Sequence, residues 1–477
     1  MRRTQRLKWI KTAMAGALLL VSAATFADVV DDLIDDAFQN YPGIKSKQMT
    51  QKSAEKEVLA AKLNFLPAVT VSAQPATRIY YGDSPSQNHK SDPVTVISVK
   101  QPLLGGGLYS RLQMSKAKKS MADWMVEEAR RDVAVRVVNA YAQWYAAHKK
   151  LQASNESVIA HEKFTELITR RMSSGVSTQS DVNQSLSRLG QARAEQASYR
   201  SAEFSALVAL NQLVGRQLGR EMLSQSITAD TKLPNDIIAQ ALAVSPTIHR
   251  LEYAAQAAEH QAGVTKAQAY PAISLKAERT INSVTNKNYG TVDTVGIVAE
   301  YSTGNGFSSL VQGSAASDQY RAALLDVDTA RRDLVVQVNQ DVSEYEFAKV
   351  RRESLAKTAQ LTQEVSESYD RLFRVGKKSW LDLLNAVRER TQTLTSLADV
   401  EASLLATNRR LKIYTTLQGS DEDTNNDSTH TIARAHNETR GTRGGTNRNS
   451  AGSAESGSKK FAHVGDRAGR TFTRYGN

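Results

Sequence analysis

Two short patterns in this sequence use residue types that could do enzymatic chemistry, but each lacks its companions. Gly105-x-Gly107 follows a predicted strand and precedes a predicted helix, as a dinucleotide-binding loop does, yet Ser110 stands where the third glycine belongs. The Ser-x-x-Lys pattern occurs without Ser-Asp-Asn or Lys-Thr-Gly, at Ser53, Ser115 and Ser354. There is no His-Glu-x-x-His and no clustered ligand set. The chain is therefore predicted not to be an enzyme and to bind no cofactor and no metal.

Two aspartates occupy matched positions in the two halves of the chain. Asp181 and Asp382 each lie six residues after a glycine, Gly175 or Gly376. These glycines are predicted to end helices at sharp reversals, because such a reversal needs a residue that tolerates positive φ. A carboxylate just beyond a reversal can bind cations or cap the returning helix. The sequence leaves both roles open for the two aspartates.

The matched aspartates belong to a duplication that runs through the chain. Leu66-Pro67 recurs as Tyr270-Pro271 at an offset of 204, and Arg130-Arg131-Asp132 recurs as Arg331-Arg332-Asp333 at an offset of 201. The order is kept, as expected of a tandem duplication of whole supersecondary units. The predicted organisation is a first repeat over 28–215, a linker over 216–234 and a second repeat over 235–419.

The first 27 residues have the pattern of a secretory signal peptide. Five basic residues flank or precede an apolar stretch from Thr12 to Ala24, and Thr25-Phe26-Ala27 offers small residues for cleavage. No later stretch approaches 18 apolar residues, so no helical membrane span is expected after processing. The chain is predicted to be exported, with cleavage after Ala27.

Composition limits the possible partners. The absence of cysteine excludes disulfides, thiol chemistry and a lipid-modified N-terminal cysteine. The formal charge of +12 falls to about +7 without the signal peptide and is spread along the chain, so nucleic acid is not an expected partner. Residues 420–477 are rich in Asn, Thr, Ser, Gly and Arg and poor in large apolar side chains, which predicts a disordered tail.

Each half has the pattern of a helix, two strands, a very long helix and a returning helix. Tyr109–Ser173 contains no proline or glycine, and at 1.5 Å per residue it predicts a helix about 100 Å long. Hydrophobic periodicity and breakers predict a helical stretch over 28–64, interrupted at Tyr41-Pro42, and helices over 176–213, 308–375 and 377–417. Alternation predicts strands over 68–81, 94–101, 272–285 and 291–302.

The long first-half helix carries a coiled-coil seam. Its apolar residues recur at spacings of three and four, at Val137, Tyr141, Trp144, His148 and Leu151. His148 on this seam is interpreted as a packed histidine rather than a ligand. A helix of this length exceeds any ordinary globular core, so it must pack along other helices.

Four strands per chain would leave the edges of a sheet open. Several copies could pool their strands into one closed barrel, and strands of about ten residues can cross an outer membrane. The competing class is an exported coiled-coil scaffold or adhesin stalk with a small soluble strand domain and no channel. That alternative explains the long helices but not the strand lengths or the duplicated reversals.

On these features the chain resembles the TolC family of outer-membrane export channels, up to about Gly419. The resemblance rests on the duplication, the helix-Pro-strand junctions, the strand exit Gln101–Gly107 and the tips Ser174–Ser177 and Arg374–Lys377. It implies an α+β fold of mostly long α-helices. In that fold a homotrimer forms a 12-stranded transmembrane β-barrel, continued by a coiled-coil α-helical tunnel in the periplasm.

The resemblance also implies how such a protein works and what it binds. A passive channel in outer-membrane lipid serves type I protein secretion, multidrug efflux or both. It is opened at its periplasmic helical tips by a periplasmic adaptor (a membrane fusion protein) coupled to an inner-membrane ABC or RND pump. The adaptor-docking tips would be Gly175, Val176, Val375 and Gly376. The missing lipidation cysteine favours the type I secretion and general-purpose branch.

A periplasmic gate is implied in the same way. Asp181 and Asp382 would face the lumen near the closed end, and Lys378 would tie neighbouring helices to such aspartates. Phe373 stands where the family has an aromatic residue of the gate network, but it lacks a hydroxyl, and Asn385 stands where a second aspartate is common. Both departures imply a weaker acidic ring and a looser lock.

Overall fold

The computed structural model describes residues 29–76, 92–223, 234, 236–281, 291–301 and 308–416. All of them belong to one unit, Met1–Gln418. The predicted signal peptide, the predicted tail and the outer ends of three predicted strands, at 77–81, 282–285 and 302, lie outside the described residues.

The order of elements in the first half is repeated in the second half. The first half contains α1 (Val29–Asn40), α2 (Pro42–Leu63), β1 (Ala68–Ala76), β2 (Asp92–Leu104), α3 (Leu108–Ser173), α4 (Gln179–Val214) and α5 (Arg220–Leu223). The second half contains α6 (Ile237–Ala243), α7 (Pro246–Ala267), β3 (Ala272–Ile281), β4 (Val292–Glu300), α8 (Ser308–Arg374) and α9 (Trp380–Thr415). The run α2-β1-β2-α3-α4 therefore has its counterpart in α7-β3-β4-α8-α9.

The long helices match their predicted spans, whereas both returning helices begin later than predicted. They start at Gln179 and Trp380 rather than at Val176 and Lys377. The reason is local, because Thr178 and Ser379 precede them as N-caps in extended conformation. No helix in the described ranges combines the length and the apolar character that crossing a membrane requires.

The strands form one antiparallel sheet in the order β1-β2-β3-β4. The central pair joins the two halves of the chain, with Lys100 opposite Lys276. Among the residues that the structure describes, β1 and β4 each pair on one side only, so both edges of this sheet are open.

The helices extend the order of the strands. Next to the sheet, α3 packs between α2 and α7, and α7 packs on α8. Farther from the sheet, α3 packs between α4 and α9, and α9 packs on α8. One edge of the helical layer is therefore α8 along its whole length, and the other edge is α2 followed by α4.

The main core lies where α1 packs into the helical layer. One face of α1 is fully buried there, and the predicted seam is confirmed, because Val137, Tyr141 and Trp144 of α3 have no exposed surface. His148 stacks on Trp144 with ring centroids 5.1 Å apart. Its Nδ1 lies 2.7 Å from Oε1 of the buried Glu203 in α4. The predicted packed histidine thus also pairs α3 with α4.

Arg131 binds the C-terminal end of α9. Its guanidinium donates to the carbonyl oxygens of Ile413 and Tyr414 at 3.4 and 3.1 Å. Burial lowers the pKa of Arg131 to about 10, so the group stays charged at neutral pH. A cation at the C-terminus of a helix satisfies its last carbonyls and complements the helix dipole.

The glycine turn between β2 and α3 is needed for packing rather than for phosphate binding. Gly105 has a φ of +88°, and a Cβ there would lie 2.6 Å from the carbonyl oxygen of Pro271 and 2.8 Å from Cα of Ala272. Gly106 has a similar φ of +61° but open space around it.

Gly105→Ala is expected to destabilise the protein more than Gly106→Ala. Both substitutions strain a left-handed residue, by about 1 kcal/mol. Only the first also forces backbone apart, which adds roughly 1–3 kcal/mol. Thermal melting followed by circular dichroism measures the difference, and equal melting temperatures would contradict the close approach.

Candidate functional site

One face of the sheet is mostly apolar, with the exposed Arg279–Asp293 ion pair as a charged exception, and the other face is mostly polar. A continuous apolar row crosses all four strands through Val69, Val99, Ala277 and Val295. Val69 and Val295 are 66% and 75% exposed. Because side chains alternate along a strand, the neighbouring rows project from the opposite face. That dyad pattern is typical of strands with lipid on one side and water on the other.

The opposite face carries charges at the end of the sheet that adjoins the helices. Lys100 lies beside Lys276 on the neighbouring strand, and the two ammonium groups are each offset by a carboxylate. Lys100 Nζ lies 2.5 Å from Glu300, and Lys276 Nζ lies 2.5 Å from Glu278. A polar row through Thr70, Ser98, Glu278 and Thr294 continues this face. It is suited to contact with water.

Both helical tips are built in the same way. Gly175 and Gly376 have φ values of 74° and 76°. At the first tip the amide of Val176 donates to Arg171 O, and at the second the amide of Lys377 donates to Leu372 O, both at 2.9 Å. These are the long hydrogen bonds of a Schellman ending. Val176 and Val375, beside the two glycines, are exposed.

Asp181 is engaged in capping the helix that follows the first tip. Its carboxylate accepts from the amide and the hydroxyl of Thr178 at 2.9 and 3.0 Å, and Thr178 Oγ1 accepts from the Asp181 amide at 3.2 Å. The hydrogen bonds from Thr178, together with one from Trp380, lower the pKa of Asp181. Of the two roles that the sequence left open, this geometry supports capping within the single chain.

Asp382 has a different environment at the second tip. Its Oδ2 lies 3.8 Å from Lys378 Nζ, and its side chain is about half exposed. The N-cap at this tip is Ser379, whose Oγ accepts from the amide of Leu381. Lys378 also lies over the ring of Tyr369, 4.4 Å from the centroid. Within the chain, Lys378 therefore contacts Asp382 and not Asp181.

The other two predicted gate residues are separated. Phe373 is buried and packs with Phe164 and Leu383, which joins the two hairpins near their tips. The guanidinium of Arg171 lies 5.0 Å from its ring centroid. Asn385 is exposed and lines a polar cavity between α3, α4 and α9.

Comparison with known proteins identifies the family to which this chain belongs. The profile of the family described as outer membrane efflux protein matches residues 33–216 and 237–415. The chain belongs to this family.

Proteins similar to this chain include a secretion protein and solved outer-membrane channels. The chain is 22% identical over 434 residues to the alkaline protease secretion protein AprF of Pseudomonas aeruginosa, covering 85% of this chain and 88% of AprF. The structure superposes on the outer-membrane channel OprN with a TM-score of 0.73 at 18% identity, covering 81% and 89% of the two chains. It also superposes on the outer membrane channel CmeC of Campylobacter jejuni with a TM-score of 0.71 at 13% identity, covering 85% of this chain and 89% of CmeC.

Membership of this family gives the cellular location of the described elements. The protein lies in the outer membrane, and its long helices form a tunnel in the periplasm. Proteins of the family are channels. The predicted resemblance and the predicted fold class of long helices with few strands are confirmed.

Several residues of this site were missed by sequence reasoning, although the sequence carried signals for some of them. Thr178-x-x-Asp181 has the spacing of a capping box and could have fixed the start of α4. The alternation around Lys100 and Lys276 could have assigned them to the polar face. No local signal gives the contact of Trp380 with Asp181, because it joins two hairpins.

Thr178→Ala is expected to fray the start of α4. Loss of the reciprocal cap should speed amide exchange at residues 179–183 by roughly tenfold, whereas Ser379→Ala should have a smaller effect at the other tip. Hydrogen exchange by mass spectrometry measures both.

The same cap has a defined pH dependence. Because the folded pKa of Asp181 is lowered, its stabilisation is fully present above the ordinary carboxyl pKa and is lost as the pH falls through the lowered value. Equal protection in wild type and Thr178→Ala at neutral pH would contradict the capping role.

Proposed function

We propose that three copies of this chain form the outer-membrane exit duct of a tripartite export system. The observation that carries the proposal is the four-stranded sheet with two open edges and faces of opposite character. Unpaired backbone groups cannot face lipid, so β4 of one copy must pair with β1 of the next. Closure with three copies gives a barrel of about 12 strands, within the range of outer-membrane proteins.

The helical edges support the same arrangement. Tyr145 of α3 donates to Glu401 of α9, and Ser403 of α9 donates to Glu344 of α8. His148 of α3 binds Glu203 of α4. These contacts place one segment of α8 and one segment of α4 at the same height on opposite edges of the chain.

Large apolar side chains lie exposed at that common height. On α8 these are Phe347 and Val350, which are 68% and 63% exposed. On α4 they are Phe204 and Val208, which are 61% and 49% exposed. A head-to-tail ring would bring the two pairs together and bury both, as a heterologous interface requires.

We further infer that the cargo is protein. AprF bears the name of an alkaline protease secretion protein, and it is similar to this chain along almost its whole length. The periplasmic adaptor would dock at the exposed tips around Val176 and Val375, and an inner-membrane pump coupled to it would open them. Efflux of small molecules remains the second candidate, since OprN and CmeC share the fold.

The gate proposal centres on Asp382. Its half-exposed carboxylate is the tip aspartate that is not engaged in a capping box. Three copies around a narrow axis would bind cations. Lys378 offsets part of this charge within each copy.

Phe347→Asp is expected to prevent assembly of the trimer, because each copy would bury an unpaired carboxylate in the seam. Native mass spectrometry of the detergent-solubilised protein should show monomers. Phe347→Leu keeps an apolar side chain and should remain trimeric. A stable trimer of Phe347→Asp would contradict the seam.

Bilayer recordings test the channel and its gate. The wild-type trimer should give discrete cation-selective steps that trivalent cations block. Asp382→Ala should abolish the block, and Lys378→Gln should strengthen it because Asp382 loses its counterion. A folded trimer that never conducts, even as the opened-tip variant Lys378→Ser, would refute the duct. Unchanged block in Asp382→Ala would refute the gate alone.

A further inference from the structure

A polar cavity of about 420 Å³ lies between α3, α4 and α9, several turns from the tips. His161 reaches it from α3, Arg188 from α4 and Arg388 from α9. Ser157, Gln191 and Asn385 add groups that can form hydrogen bonds. The cavity lies within one copy of the chain, and none of the exposed apolar side chains of the proposed seam lines it.

The two arginines in this cavity lack the partners that their neighbours have. Arg193 of α4 pairs with Glu162 at 2.7 Å, and Arg390 of α9 pairs with Glu156 at 2.7 Å. Across the described ranges, neither Arg188 nor Arg388 has a carboxylate within ion-pair distance. Glu195 and Tyr199 share the wall, and the Glu195 carboxylate accepts from Gln191 Nε2 at 3.5 Å. The cavity therefore carries net positive charge.

His161 adds a buried polar group without a partner. Its side chain is 94% buried, and its Nδ1 has no hydrogen-bond partner in the part of the chain that the structure describes. Burial and the nearby guanidinium of Arg188 lower the pKa of His161, so the ring is neutral at neutral pH. A buried nitrogen without a partner is unfavourable. Nδ1 itself is enclosed by protein, so a ligand in the cavity would meet the imidazole at the part of the ring that lines the wall.

We propose that this cavity binds a small oxyanion between the guanidinium groups of Arg188 and Arg388, with the imidazole of His161 as a further hydrogen-bonding group. Planar guanidinium groups contributed by two different helices suit the oxygens of a dianion such as sulfate, phosphate or a dicarboxylate. The ligand would join α4 to α9 and so hold the two helical hairpins of one copy together. The site is independent of the exported cargo.

Isothermal titration calorimetry of the full-length protein in detergent tests the site. Sodium sulfate is titrated at constant ionic strength in chloride, and succinate in a parallel titration separates a tetrahedral oxyanion from a carboxylate. Saturable sulfate binding is expected, weakened at least tenfold by Arg188→Gln or Arg388→Gln. Arg388→Lys, which keeps the charge but not the fork, should have an intermediate effect.

Arg200→Gln is the matched control, because Arg200 is exposed on the same helix and does not line the cavity. Unchanged binding in this variant is expected. No saturable binding of either anion to the wild type would overturn the proposal, and so would an equal loss in Arg200→Gln, which would mean unspecific attraction to basic residues. Each variant is compared with wild type by thermal melting in chloride.

The pH dependence of sulfate binding tests the contribution of His161. Sulfate stays a dianion across the range, and a bound dianion favours the imidazolium, so its affinity should rise as the pH falls toward the pKa of His161. Glu195 is the carboxylate that shares this wall with His161. His161→Gln should therefore remove most of the dependence while the arginine-dependent binding stays. An unchanged pH profile in His161→Gln would exclude His161 from the site.

Discussion

The open edges of the four-stranded sheet are the constraint on which the architecture depends. A sheet that faces lipid must pair every backbone group, and among the described residues β1 and β4 have no second partner strand. Because α2 precedes β1 and α8 follows β4, the same two edges continue down the helical layer. In the proposed trimer, one repeated seam thus closes both the barrel and the tunnel, rather than two independent interfaces.

Rods of this length need fixed ends as well as packed sides. The seam around Trp144 holds α3 against its neighbours, and Arg131 fixes the C-terminal end of α9. At the helical tips, Phe373 packs the two hairpins together, and Trp380 reaches the Thr178–Asp181 cap. The tips therefore combine a packed interior with exposed valines. Such a design lets a partner bind without first ordering the chain.

Much of this fold could be predicted from the sequence, because its signals are long and sustained. The uninterrupted run to Ser173 predicts α3, and the alternation of apolar residues predicts the strands. The starts of α4 and α9 were missed by three residues, since they depend on caps. Lys378 contacts Asp382 because the two residues lie four apart along the chain at the start of α9. The cavity of Arg188 and Arg388 joins three helices, so no spacing along the chain announces it.

The pairing of β2 with β3 has a consequence for how the protein is made. Leu104 pairs with Ile273, so the centre of the sheet joins segments from opposite halves of the chain. Contacts between distant segments form slowly, because a long loop must close first. The first half must wait in the periplasm with one strand pair exposed until the second half has crossed the inner membrane. Exposed strand pairs aggregate readily, so this interval is when the chain most needs a chaperone.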